Sequence, residues 1–178
     1  MEIFLKKMEN KTLRLFPNHT GVWDGTYRRI DACGKLLDEW KSRLTIRFLE
    51  KNEYHQVNQY FWDDGYQECH DFGVCRFNEA GELIFDNPRI EGKAWETNNS
   101  VCLIWTYKNR PENHLFEMID LIGDGTHRIR VWKWSAGDEF QGITMIEERK
   151  VASESEIDPK FWIDLPSIRS TGPSRSDH

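Results

Sequence analysis

From residue 21 onward, apolar and polar positions alternate in short bursts. In 42–48, Ser42, Leu44, Ile46 and Phe48 share one parity and Arg43, Thr45 and Arg47 the other. That period of two belongs to a strand with one buried face. Runs of this kind, rich in Val, Ile, Thr and aromatic residues, lie at 21–30, 42–50, 53–62, 66–77, 82–86, 91–97, 101–108, 114–121, 126–134 and 139–150. Turn chemistry separates many of them: Asp31-Ala-Cys-Gly34, Asp63-Asp-Gly65, Asn78-Glu-Ala-Gly81, Asn109-Arg-Pro-Glu-Asn113, Gly123-Asp-Gly125 and Ala136-Gly-Asp138. Residues 35–41 fit either the lead-in to a strand or a single helical turn. No interior run has the length and period of a helix.

Short strands at spacings of about 8–12 residues, joined by tight turns, indicate a sandwich or a barrel. Neighbouring hairpins favour a meander, and a meander of about 8–10 strands can close and remove its edges. The predicted fold is therefore all-β: an up-and-down antiparallel barrel over residues 21–150. Residues 1–20 form a short helix or arm that Pro17 ends. Residues 151–178 form a polar tail whose apolar island, Phe161-Trp-Ile163, packs on the barrel wall or acts as a docking peptide or lid. The last residues, from Ser170, are expected to be disordered.

Composition narrows the function. The 178-residue chain carries a net charge of −6 without a basic block, which argues against nucleic acid as partner. No segment reaches membrane-spanning length, and the first residues lack the apolar run of a secretion signal. The four cysteines, Cys33, Cys69, Cys75 and Cys102, form no C-x-x-C pair, and Cys69 and Cys75 would stand about 20 Å apart along one strand. Unpaired thiols suit the cytoplasm, where the sequons at Asn10, Asn18 and Asn98 stay silent. The six histidines are scattered, so no metal site is indicated. No nucleotide-binding or hydrolase motif is present, and no cofactor is implied. Aromatic residues are the anomaly: 8 Trp, 10 Phe and 5 Tyr. They fill a large core or line a cavity.

Strand parity identifies candidates for such a cavity. In 53–62 one face holds Tyr54, Gln56, Asn58, Tyr60 and Trp62, mixing amides with large rings. Inside a barrel those amides need partners, from a ligand, from water or from one another. In 126–134, Arg128, Arg130, Trp132 and Trp134 share a face. Pointing inward, it would put guanidinium groups beside indoles, suited to a carboxylate or phosphate on a planar apolar ligand. Pointing outward, it would form an interaction patch. Inward is the orientation expected. Trp23 and Tyr27 share parity in the first run, and Trp95 and Trp105 are assigned to the same interior. Glu117 and Asp120 have opposite parity in their strand, and of Glu147 and Glu148 one must face out.

Gly21-Val-Trp23 resembles the G-x-W motif that opens lipocalins and related calycin barrels. The resemblance implies that Gly21 and Trp23 close the barrel base and that Arg149, at the end of the last strand, packs over Trp23. The longer pattern is His19-x-Gly21-Val-Trp-Asp-Gly-Thr-Tyr27, Ser42-Arg-Leu44, Gln56-Val-Asn58-Gln-Tyr60 and Ile146-Glu-Glu-Arg149. Over about residues 19–150 it resembles an uncharacterised family of calycin-like barrels found mainly in cyanobacteria, whose members are longer. The phycobiliprotein lyases, which hold a linear tetrapyrrole, share this fold group, but their own motifs are not visible here.

The function expected is binding of a small, largely apolar ligand with an anionic group, of tetrapyrrole or isoprenoid type, inside the barrel. Trp23, Tyr27, Gln56, Asn58, Tyr60, Trp105, Arg130 and Trp132 are the expected lining. The alternatives are a lyase, isomerase or cyclase acting on such a ligand, and an interaction module with an exposed Trp face. A homodimer is left open.

Overall fold

A computed structural model describes residues 13–49 and 52–165. The ten runs correspond one to one with ten strands: β1 (Gly21–Asp31), β2 (Leu36–Leu49), β3 (Glu53–Phe61), β4 (Gln67–Phe77), β5 (Leu83–Asp86), β6 (Ile90–Glu96), β7 (Ser100–Tyr107), β8 (Arg110–Ile122), β9 (His127–Ala136) and β10 (Glu139–Ala152). Each pairs antiparallel with its sequence neighbours, and β1 pairs with β10, so the sheet closes into a barrel. The ambiguous residues 35–41 resolve as strand: β2 begins at Leu36 and places Trp40 opposite Tyr27.

The glycines flanking Trp23 belong to the closing seam. Gly21 has φ of +109°, and a Cβ there would lie 2.4 Å from the carbonyl oxygen of Ala152, so only glycine fits. Gly25 sits directly opposite Glu148 of β10, where a Cβ would meet the Glu148 Cγ at 2.4 Å.

One end of the barrel is plugged. Of the predicted N-terminal helix or arm, residues 1–12 lie outside the described residues, and Phe16–His19 is a 3-10 helix. Glu96 of β6 reaches the plug from inside: its carboxylate accepts the backbone N–H groups of Arg14, Leu15 and Phe16, with Oε1 at 2.9, 2.6 and 2.9 Å. Phe16 packs edge-on against Tyr54 and Phe77, and the Trp23 indole donates to the His19 carbonyl at 2.9 Å.

Beyond Ala152 the chain makes 3-10 turns at Glu154–Glu156 and Pro159–Trp162 on the outer wall. The Phe48 N–H donates to Glu154, and Trp162 lies over the Arg47 guanidinium (3.9 Å) and beside His55 (4.8 Å). Trp162 of the apolar island therefore rests against β2 and β3, while Ile163 is exposed. The segment from Ser170 lies outside the described residues.

Parity holds on β2, β3 and β9: Leu44, Ile46, Asn58, Tyr60, Arg128, Arg130, Trp132 and Trp134 are all buried. It fails for Trp95. That ring is on the outer face, beside Lys93 and Phe116. The inward positions of β6 include Gly92 and Ala94, and they are small for a reason. Gly92 lies directly opposite Trp105 of β7, and a Cβ on it would stand 2.5 Å from the Trp105 Cβ. Trp105 fills the space, so β6 turns its large ring out.

Candidate functional site

Opposite the plug, the rings of Trp40, Trp62, Trp105, Tyr107 and Trp134 gather near the strand ends around the mouth of an open cavity. The cavity has a volume of about 140 Å³, room for a small molecule and below the range usual for drug-sized ligands.

Six of the expected lining residues, Gln56, Asn58, Tyr60, Trp105, Arg130 and Trp132, are on the cavity wall. Trp23 and Tyr27 stand one layer behind it. Trp23 is fully buried under Arg128, whose guanidinium is 4.2 Å from its ring. Tyr27 is fully buried, with the rings of Trp40, Tyr60 and Trp132 each 5.3 Å from its own.

Arg149 does not close the base. Glu148 faces inward, so alternation turns Arg149 outward, where it is exposed and donates to the His127 ring. The base over Trp23 is formed instead by Arg128 from β9 and by the Lys150 ammonium, 4.9 Å from the indole. Sequence order suggested a basic residue at the end of the last strand; that strand supplies Lys150, one residue beyond Arg149, and the neighbouring strand adds Arg128.

The amides on β3 partner one another. Gln56 Nε2 donates to Asn58 Oδ1 at 2.9 Å, and Asn58 Nδ2 donates to the Tyr60 hydroxyl at 2.8 Å. Burial pushes the Tyr60 phenol up to about 12, so it stays neutral.

From the wall inward runs a buried ionic cluster that parity within single strands could not reveal. Arg130 donates to Glu117 of β8 at 2.5 Å, to Glu148 of β10 at 3.1 Å and to the Tyr27 hydroxyl at 3.0 Å. Arg128 donates through Nε to the other Glu148 oxygen. All four charged side chains are at most 4% exposed, and two cations balance two anions. Burial alone would raise the Glu148 carboxyl, but Arg128 and Arg130 more than offset it and hold it below the usual carboxylate range. His19 is pushed down to about 2, first by burial and then by Arg128, Arg130 and Lys150. It is neutral at any physiological pH.

Among the described residues, four that line the cavity carry a buried nitrogen without a hydrogen-bond partner: Trp40 Nε1, Trp132 Nε1, Arg128 Nη2 and His19 Nδ1. Indole and guanidinium nitrogens only donate. At the rim, Glu68 pairs with His70 (2.8 Å), and Arg89 donates to the other His70 nitrogen (2.7 Å). Among the described residues, no group of three or more His, Cys, Asp or Glu is placed to hold a metal ion.

Fold and site together define a calycin-like barrel with a ring-lined, donor-rich cup, closed at one end and open at the other. Over residues 8–153 the chain matches the N-terminal domain of unknown function DUF3598, and it belongs to that family. A DUF3598 protein of unknown function from Nostoc punctiforme PCC 73102 superposes with a TM-score of 0.61 at 15% identity, covering 81% of this chain and 51% of that one. The chain thus spans about half the length of that relative. The S-type phycobiliprotein lyase CPES from Guillardia theta superposes with a TM-score of 0.57 at 14% identity, over 76% of this chain and 90% of that one. Rv2717c from M. tuberculosis does so with a TM-score of 0.51 at 16% identity, over 76% and 94%. At these identities the likeness is one of fold. A comparison with curated proteins found no match.

Proposed function

We propose that the barrel binds a small, largely apolar ligand that carries an anionic group and hydrogen-bond acceptors. The observation that carries this reading is the pair of buried indole N–H groups, on Trp40 and Trp132, without partners on the wall of an open, ring-lined cavity. A buried donor left unpaired costs about 1–3 kcal/mol. A ligand carbonyl or carboxylate would recover that energy, and the rings would cover its apolar body.

The phycobiliprotein lyase among the structural neighbours supports placing bilins in the set of ligands to try. The cavity's size favours a more compact body, such as a cyclic isoprenoid acid, over a whole open-chain tetrapyrrole. Catalysis would call for a buried acid held protonated near pH 7. Glu148 is shifted the opposite way. Trp132 and Trp134 point inward, which removes them from an outer docking face.

The test is a thermal-shift and tryptophan-quenching screen of bilins, fatty acids, retinoids and isoprenoid acids. A compact acid should raise the melting temperature, and Trp132→Phe should weaken its binding by about two- to tenfold, the loss of one neutral hydrogen bond. No stabilisation by any class would refute the reading.

A further inference from the structure

We propose that the negative end of the ligand is received at the plugged end of the cavity by Arg128 Nη2 together with the His19 ring, and not by Arg130. This rests on the reading above and names a subsite within it.

Arg130 is the more conspicuous cation, but two of its three guanidinium nitrogens are engaged. Its Nε and Nη1 already serve Glu117, Glu148 and Tyr27. Arg128 differs. Its Nε side holds Glu148, while Nη2 is buried without a partner and the residue lines the cavity. The residue as a whole is 2% exposed. His19 is 4% exposed, its Nδ1 also lacks a partner, and it lines the same cavity. The two groups share a support. The Trp23 indole is hydrogen-bonded to the His19 carbonyl and covered by the Arg128 guanidinium.

The charges around this floor admit one more anion. Arg128, Arg130 and Lys150 all act on His19, and Arg128 and Lys150 both lie over Trp23. Facing them are Glu117 and Glu148. Glu148 has both oxygens occupied, one by Arg128 and the other by Arg130 and Tyr27, so it is shielded from an incoming anion. The remaining acid at this end, Glu96, is turned to the backbone of the plug. A compact monoanionic head, carboxylate or sulfonate, thus finds a guanidinium edge and an imidazole N–H at the floor. Its body then lies among the rings toward the mouth, where an acceptor apart from the head meets the N–H groups of Trp40 and Trp132. The ligand enters head first.

Two dyes share a naphthalene–phenyl skeleton and differ in charge: anilinonaphthalene sulfonate and phenylnaphthylamine. Fluorescence titration of the full chain with both separates the subsite from general apolar binding. The wild type should prefer the sulfonate. Arg128→Lys keeps a cation for Glu148 but offers a single ammonium head instead of two guanidinium edges. It should weaken the sulfonate about ten- to hundredfold, the loss of one charge-assisted bond, and leave the neutral dye within about twofold. His19→Asn should reduce the same preference, and Arg130→Lys should not. If Arg128→Lys loses its cooperative melting transition, His19→Asn decides alone: an unchanged preference overturns the proposal. An unchanged preference in folded Arg128→Lys overturns it as well, even though the dyes bind. Failure of both dyes to bind the wild type counts against the broader reading instead.

Discussion

Gly25→Ala is a test of how tightly the seam and the buried ions are coupled. A Cβ at this position would lie 2.4 Å from Glu148 Cγ, 2.7 Å from the Glu147 carbonyl oxygen and 3.2 Å from Ser42 Oγ. The first neighbour belongs to a side chain with no freedom to swing away, because Arg128 and Arg130 grip its carboxylate. The second is backbone of the paired strand. Overpacking of this kind costs about 1–3 kcal/mol. Complete loss of one partner from a buried pair costs about 3–5 kcal/mol. Alanine loses less chain entropy than glycine in a strand, which returns about 0.5–1 kcal/mol. With Glu148 displaced but not released, the net loss should be about 3–4 kcal/mol. For a chain of this size that lowers the melting temperature by about 6–16 °C. Urea unfolding followed by tryptophan fluorescence measures it. Gly34→Ala is the control: its φ is +88° but nothing lies within 4 Å of the added carbon, so it should cost only the left-handed strain, about 1–2 kcal/mol. If Gly25→Ala costs no more than Gly34→Ala, the crowding at the seam does not reach the ion cluster and the reasoning fails.

Stability should also depend on pH through His19. Unfolded, its imidazole takes a proton near pH 6.5; folded, it resists down to about 2. Its contribution is therefore complete above about pH 6.5 and falls as the pH drops, by about 1.4 kcal/mol per unit. His19→Asn should flatten the profile between about pH 6.5 and 5, and an equal slope in both proteins would refute the assignment. On the outer wall, Trp162→Ala removes the contacts with Arg47 and His55 and should cost about 0.5–2 kcal/mol. Amide exchange should quicken over residues 45–49 and 53–57, and unchanged protection there would show that the segment after β10 does not brace the wall.

The barrel was legible because its evidence is local. Alternation in 42–48, turn glycines such as Gly34, Gly65 and Gly81, and the near absence of helical periodicity all act within a few residues. The Arg128/Arg130/Trp132/Trp134 face was found for the same reason. Contacts between strands were not legible. Glu117 and Glu148 meet only because Arg130 of the strand between them reaches both. Trp95 was assigned inward because parity within a seven-residue strand says which residues share a face, not which face is inside; the deciding fact is Trp105 opposite Gly92. Trp40 was hidden by the ambiguity of 35–41, although extending the parity of Ser42 and Leu44 back by one step would have found it. His19 stood within the motif that suggested the fold, but nothing local marks a histidine before a strand as the floor of a cavity.

The plug has a consequence for assembly. Glu96, which fastens the segment at Arg14–Phe16, lies about 80 residues further along the chain. The floor cannot be completed when β1 and β2 form; it waits for β6, and then for β9 and β10, which bring Arg128 and Lys150 over Trp23. Until β10 pairs with β1 the nascent sheet is an open ribbon, so during refolding any molecule that needs a finished floor should be the last thing it learns to hold.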